Sequence, residues 1–178
     1  MKNKLLLIIA IAVVAIGGYM VFSSFGNDSA SDIPSDDVKQ LVAEYSANTK
    51  TNLAASITSN ELILIEKNGK KQTFDLPKDE FFVSIAPFYE QTHPCEIHSL
   101  TGCRGELAKE EFHVYIEDKD GNIIVNEKMT SLDNGFIDLW LPRDNTFFAK
   151  IEKDGKISEL TFSTFAGDKT CITTMQLL

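Results

Sequence analysis

Phe112-His113-Val114-Tyr115-Ile116-Glu117, then Lys119-Asp120-Gly121, then Ile123-Ile124-Val125-Asn126-Glu127-Lys128 is the stretch whose reading decides the fold. Apolar and polar residues alternate on the first arm, the period of a half-buried strand. Asp-Gly accommodates the positive φ of a tight turn, so the two arms are expected to pair as an antiparallel hairpin. The pattern repeats outward in both directions. Leu62–Ile65 and Gln72–Leu76 flank Asn68-Gly69, and Phe147–Glu152 and Ile157–Phe162 flank Asp154-Gly155. Phe81–Ala86, Gly135–Leu141 and Thr170–Leu178 are further expected strands. Short strands joined by Asx-Gly turns predict a mainly β chain, an antiparallel β-sandwich-like domain over residues 60–178. No Gly-rich phosphate loop and no strand–helix alternation is present, which disfavours nucleotide-binding α/β folds.

Before residue 60 the period changes. Val38, Leu41, Val42 and Tyr45 make one helical stripe. Pro34 precedes it, Ser35 is the expected N-cap, and Asp36 and Asp37 suit the positive end of the helix dipole. Leu53 and Ile57 read as the inner face of a second short helical turn. Residues 27–59 are thus a Ser/Asp/Gly-rich tether followed by a short helical segment, α+β overall when added to the strands. Residues 1–26 differ again. Lys2 and Lys4 precede Leu5–Phe22, an uncharged run of 18 residues. As a helix it covers about 27 Å, near the thickness of bilayer hydrocarbon. This is the pattern of a signal peptide or a membrane-spanning anchor, with positive charge keeping the start inside. The remainder is expected to be extracytoplasmic, in the periplasm or on the outer face of the membrane.

Lys+Arg 17 against Asp+Glu 26 gives a net charge of −9 in 178 residues. Such a balance argues against nucleic acid as a partner, because phosphate would be repelled over most of the surface.

His93-Pro94-Cys95-Glu96-Ile97-His98-Ser99-Leu100-Thr101-Gly102-Cys103 carries the chemistry. Two thiols and two imidazoles fall within eleven residues, and the third of the three cysteines, Cys171, lies on the expected last strand. Exported cysteines tend to oxidise, so one disulfide with one leftover thiol is the structural reading, that of a stabilised interaction module without metal. Metal is the second reading. Thiolate and imidazole select Cu(I) or Zn(II), the spacing fits zinc motifs poorly, and three thiolates suit trigonal Cu(I). Thiol redox chemistry is the third, although no C-x-x-C motif is present. Arg104 adjoins Cys103 and Lys169 lies two before Cys171, and one or both are expected to lower the thiol pKa values and offset thiolate charge. His93 and His98 are candidate secondary ligands. His113 and Met175 read as structural, although Met175 shares Cys171's face by period two. Phe136 and Trp140 read as core, and Asn134-Gly135 as a turn that needs positive φ.

Three separated blocks resemble one family. They are Phe82–Pro87 with Thr92–Glu106, then Asp133–Arg143, then Thr170–Leu177. Together they are similar to the CueP-type copper-binding proteins of the bacterial periplasm, over roughly Glu80 to Leu178. The resemblance implies a Cu(I)-binding protein rather than an enzyme, with Cys95, Cys103 and Cys171 as ligands. It also implies copper tolerance and passage of the metal to exported copper enzymes such as a superoxide dismutase. A cupric-reductase-like activity of the same thiols is the alternative. Glu111–Ile157 further resembles the prealbumin-like sandwiches of carboxypeptidase regulatory domains, which bears on fold alone.

Overall fold

The computed structural model describes residues 34–47 and 53–178. The expected anchor or signal segment at 1–26 lies outside the described residues. Helix α1 (Ser35–Ser46) is followed by β1 (Leu53–Ile57), β2 (Glu61–Glu66), β3 (Lys71–Asp75), β4 (Glu80–Ile85), β5 (His98–Ser99) and β6 (Glu111–Asp118). Then come β7 (Ile123–Thr130), β8 (Ile137–Pro142), β9 (Thr146–Lys153), β10 (Lys156–Ser163) and β11 (Cys171–Ile172). The expected mainly β, antiparallel architecture is present.

The strands form three sheets, β3-β2-β1-β5, β11-β4-β8 and β10-β9-β6-β7. The sheet containing β4 is the middle layer. Phe81, Val83 and Ile85 face a core built with Phe112, Val114 and Ile116 of β6 and Phe147 and Ile151 of β9. Phe82 faces the other way, into a core with Val38, Val42 and Tyr45 of α1 and Ile57 and Leu62. A strand buried on both faces needs a continuous apolar run rather than alternation. Phe81-Phe82-Val83-Ser84-Ile85 supplies one, and its single polar member, Ser84, donates to Asp138 at 2.5 Å. Ser46 at the end of α1 donates to the other oxygen of the same carboxylate at 2.6 Å, which ties the helix to the middle sheet.

All three expected hairpins form, as β2–β3, β6–β7 and β9–β10. The last uses Asp154 and Gly155 at φ 53° and 77°, the paired positive values that match strand twist.

Three local expectations change. Leu53–Ile57 is strand β1, not a helical turn: it pairs with β2 along its whole length and buries Ala55 and Ile57. Five residues cannot sustain a helix alone, so the available ladder decides. Helix α1 is capped by Pro34, not Ser35, and the Pro34 carbonyl accepts the amides of Asp37 and Val38. Thr170–Leu178 is strand only at Cys171–Ile172, paired parallel to Ser84 and Ile85. Beyond it the chain leaves the ladder and rejoins through the Phe88–Gln176 bridge. The departure shifts the alternation, so Met175 enters the main core with Ile172 and Leu177 and not the face of Cys171.

Gly135 and Gly105 lie back to back. The Gly105 amide donates to the Asn134 carbonyl at 2.7 Å. A Cβ on Gly135, at φ +82°, would stand 2.6 Å from the Gly105 carbonyl oxygen. The turn at Asn134-Gly135 therefore packs on the segment that follows Cys103. Gly135→Ala is expected to cost about 1–3 kcal/mol of overpacking in addition to the positive-φ penalty. Gly155→Ala, where the side chain meets open space, is expected to cost only the φ penalty of about 1–2 kcal/mol. Urea denaturation of both variants checks the difference.

Candidate metal centre

The chain between β4 and β6 crosses one end of the middle sheet with little regular structure, and polar ties hold it. The amides of Tyr89, Glu90 and Gln91 converge on one carboxylate oxygen of Glu106 at 2.7, 3.0 and 3.2 Å. Thr92 donates its hydroxyl to the Thr173 carbonyl. The Glu96 carbonyl accepts the amides of Thr170 and Cys171. Thr170 is the central tie: its Oγ1 accepts the His98 amide at 3.0 Å and donates to the Ile57 carbonyl at 2.6 Å. The loop, the last strand and β1 are thereby fastened together. β5 pairs His98 with Ile57 and Ser99 with Ser56. A turn then closes through the Cys103 amide to the Ser99 carbonyl at 2.9 Å and delivers Cys103.

These ties gather the three cysteines, all free thiols. Cys95 and Cys103 have sulfurs 3.6 Å apart. Cys171 is buried, and its sulfur lies 3.4 Å from Nδ1 of His98. Cys103 sits between, and its sulfur accepts the Ser99 amide at 3.4 Å. The donor atoms form two groups, His93-Cys95-Cys103 and His98-Cys103-Cys171, each with all its atoms within 4.8 Å of one another. Cys103 belongs to both.

The electrostatics single out the same residue. Hydrogen bonding from Cys171 holds the Cys103 thiol well below the ordinary range, with His98, His93 and the Ser99 amide adding to it against the opposing effect of burial. Cys171 is pushed up, by its bond to Cys103 first and then by burial. Cys95 is raised, chiefly by burial. The three thiols thus act on one another, with Cys103 held low and Cys95 and Cys171 pushed up.

Both imidazoles contact the ring of Phe136. His98 packs on that ring with centroids 4.5 Å apart, and His93 approaches it edge-on at 6.4 Å. His98 is fully buried and its Nε2 has no hydrogen-bond partner, so Nδ1 is the atom committed to the site. A cleft of about 320 Å³ reaches Cys95 and Cys171 past Phe162 and Thr174.

The structure brings Cys95, Cys103, Cys171, His93 and His98 into one place. It does not give Arg104 and Lys169 the role expected of them. Arg104 donates to the carbonyls of Cys103 and Thr101 at 2.6 and 3.2 Å, bracing the main chain. Lys169 pairs with Glu96 at 2.9 Å, and that lowers the Glu96 carboxyl. The Cys103 thiol is lowered first by Cys171 and then by the two imidazoles and the Ser99 amide. His113 is exposed on β6, far from the cluster in the fold. Sequence reasoning passed over Thr170, Glu106 and the contact of Phe136 with both imidazoles. All three sit inside the quoted blocks, but no spacing rule marks them.

Soft sulfur and borderline nitrogen, gathered without carboxylates, suit copper and especially trigonal Cu(I). A β-rich frame presenting three thiols and two imidazoles at one sheet end defines a soft-metal-binding protein. Residues 37–176 match the family model described as periplasmic copper-binding protein CueP, and the chain belongs to that family. A crystal structure of S.CueP is similar to it at 36% sequence identity and a TM-score of 0.75, covering 79% of this chain and 88% of the other. No curated protein matches the chain.

Glu106 fastens the start of the segment that carries Cys95 and His98. The amides of Glu90, Gln91 and Tyr89 hold its carboxyl below the usual range. A depressed folded pKa means the contribution is fully present above the unfolded value, about 4.3, and is lost as pH falls through the folded value. Amide hydrogen exchange at Tyr89–Gln91, corrected for intrinsic rate, is expected to accelerate below about pH 4. It is expected to accelerate at neutral pH in Glu106→Gln, with β6 amides unchanged in both cases. Unaltered exchange at Tyr89–Gln91 in the variant would show that the carboxylate is not the fastening.

Proposed function

We propose that this chain binds Cu(I) outside the cytoplasm through the thiols of Cys95, Cys103 and Cys171, and that it sequesters the metal or passes it on. The convergence of thiols from a loop and from the last strand, with two imidazoles among them, is the observation that carries the reading. An interaction module stapled by a disulfide has no use for two imidazoles aimed at the same sulfur. A carrier has: thiolate ligands must shed protons on binding, and a preformed thiolate lowers that cost. Copper here is cargo. Loop ligands facing a strand ligand permit exchange while the sheet stays rigid.

Membership of a periplasmic family agrees with export. Residues 1–26 would act as the signal or as a membrane tether; the expected boundary at 60 moves forward, because α1 and β1 pack into the same core as β2 and β4. An exported copper enzyme, such as a superoxide dismutase, is the class of acceptor that a periplasmic copper carrier would serve. A second reading rests on the 3.6 Å separation of Cys95 and Cys103. Closing that pair to a disulfide releases two protons and two electrons, which reduce two Cu(II) to Cu(I).

The test is titration of the full chain with Cu(I) against a competing chelator. One tight equivalent is expected. Loss of a partner that only orients a ligand weakens metal sites by about 10–100-fold, so removing a ligand itself in Cys171→Ser is expected to cost at least about 100-fold. Equal weak binding by both proteins would remove the strand thiol from the site and the carrier reading with it. Steady Cu(II) reduction with an added thiol reductant would favour the second reading.

A further inference from the structure

The thiols and imidazoles fall into two donor groups. The two donor groups share a single atom, Cys103 Sγ, and differ in everything else. His93, Cys95 and Cys103 are all half-exposed, whereas the other group adds two buried residues, His98 and Cys171, to the same sulfur. Their supports differ as well. His98 and Cys171 lie on β5 and β11, locked by Thr170 to β1 and by ladder pairing to β4. His93 and Cys95 lie on the loop between β4 and β5, held by backbone ties on either side.

Charge argues the same way. Three thiolates around Cu(I) carry a net −2, and two thiolates with a neutral imidazole carry −1. Burying the greater charge needs a compensating cation, because desolvation penalises it. The two nearby cations are engaged elsewhere, Arg104 with carbonyls and Lys169 with Glu96. A centre of two sulfurs and one nitrogen is the less costly one to bury.

Resting on the copper reading, we infer that the centre has two positions joined at Cys103. The outer one, on His93, Cys95 and Cys103, receives copper; the inner one, on His98, Cys103 and Cys171, retains it. Transfer is ligand exchange. The bonds from copper to Cys95 and His93 break, those to Cys171 and His98 form, and the bond to Cys103 persists. Cys171 gives up its thiol proton, Cys95 regains one, and no electron moves. Copper is never without a thiolate, and release runs by the same path in reverse.

X-ray absorption of the full chain with one equivalent of Cu(I) is expected to show two sulfurs and one nitrogen per copper. Three sulfurs and no nitrogen would overturn the inference while leaving the protein a copper binder. Kinetics separate the two positions. Cys95→Ser and His93→Asn, both at half-exposed sites that the fold does not rest on, are expected to slow copper uptake from a chelator at least about tenfold. Their affinity is expected to fall by less than the loss in Cys171→Ser. Cys103→Ser is expected to lose both positions. Parallel losses of affinity and uptake rate in Cys95→Ser and Cys171→Ser would mean a single centre and would end the two-position scheme. Failure of the wild-type chain to bind Cu(I) at all would remove the copper reading itself, and the scheme with it.

Discussion

The parallel pairing of the last strand with β4 is the constraint on which the site depends. β4 is buried on both faces and already holds β8 on one edge. Its other edge is closed by Cys171 and Ile172, with the Ser84 amide donating to Thr170 and the Ala86 amide to Ile172. That edge sets the depth and direction of Cys171. His98, 73 positions away in the chain, meets it only because Thr170 ties β5 and β11 to the same point of β1. A protein that must hold a metal tightly and still exchange it benefits from this division. Cys171 belongs to the rigid layer, and His93 and Cys95 belong to the loop laid across its end.

The groups that hold the Cys103 thiol low are a second thiol, two imidazoles and a backbone amide. An exposed cation next to a thiol in sequence has water as a competitor and a backbone carbonyl within reach, and Arg104 takes the carbonyl. His98, buried against Phe136, and the half-exposed His93 both help to hold the Cys103 thiol low. Copper binding is favoured by the same choice, since neutral nitrogen donors add no charge to a buried centre.

Much of the fold was legible. Three Asx-Gly turns between alternating runs named the hairpins, because a tight turn has few chemical solutions and the pairing is local. The doubly buried β4 showed itself as an unbroken apolar run. β1 was not legible as a strand: Leu53-Ala54-Ala55-Ser56-Ile57 is short and carries two alanines, and only the ladder offered by β2 makes it extended. The C-terminal stretch kept its alternation on paper, but the chain steps out of register after Ile172 to reach Phe88. Met175 consequently serves the core, not the copper face.

For the site, the residue types and their crowding between His93 and Cys103 established from sequence alone that soft-metal or thiol chemistry was at stake, and the odd cysteine count required a use for Cys171. The chemistry of a side chain is a property of the residue and survives any fold. Which thiol is the shared one, which imidazole is buried, and what lowers the thiol pKa are properties of distance and desolvation. Those were decided only when the parallel β4–β11 pairing and the Thr170 tie brought the loop and the last strand to within a few ångströms of each other.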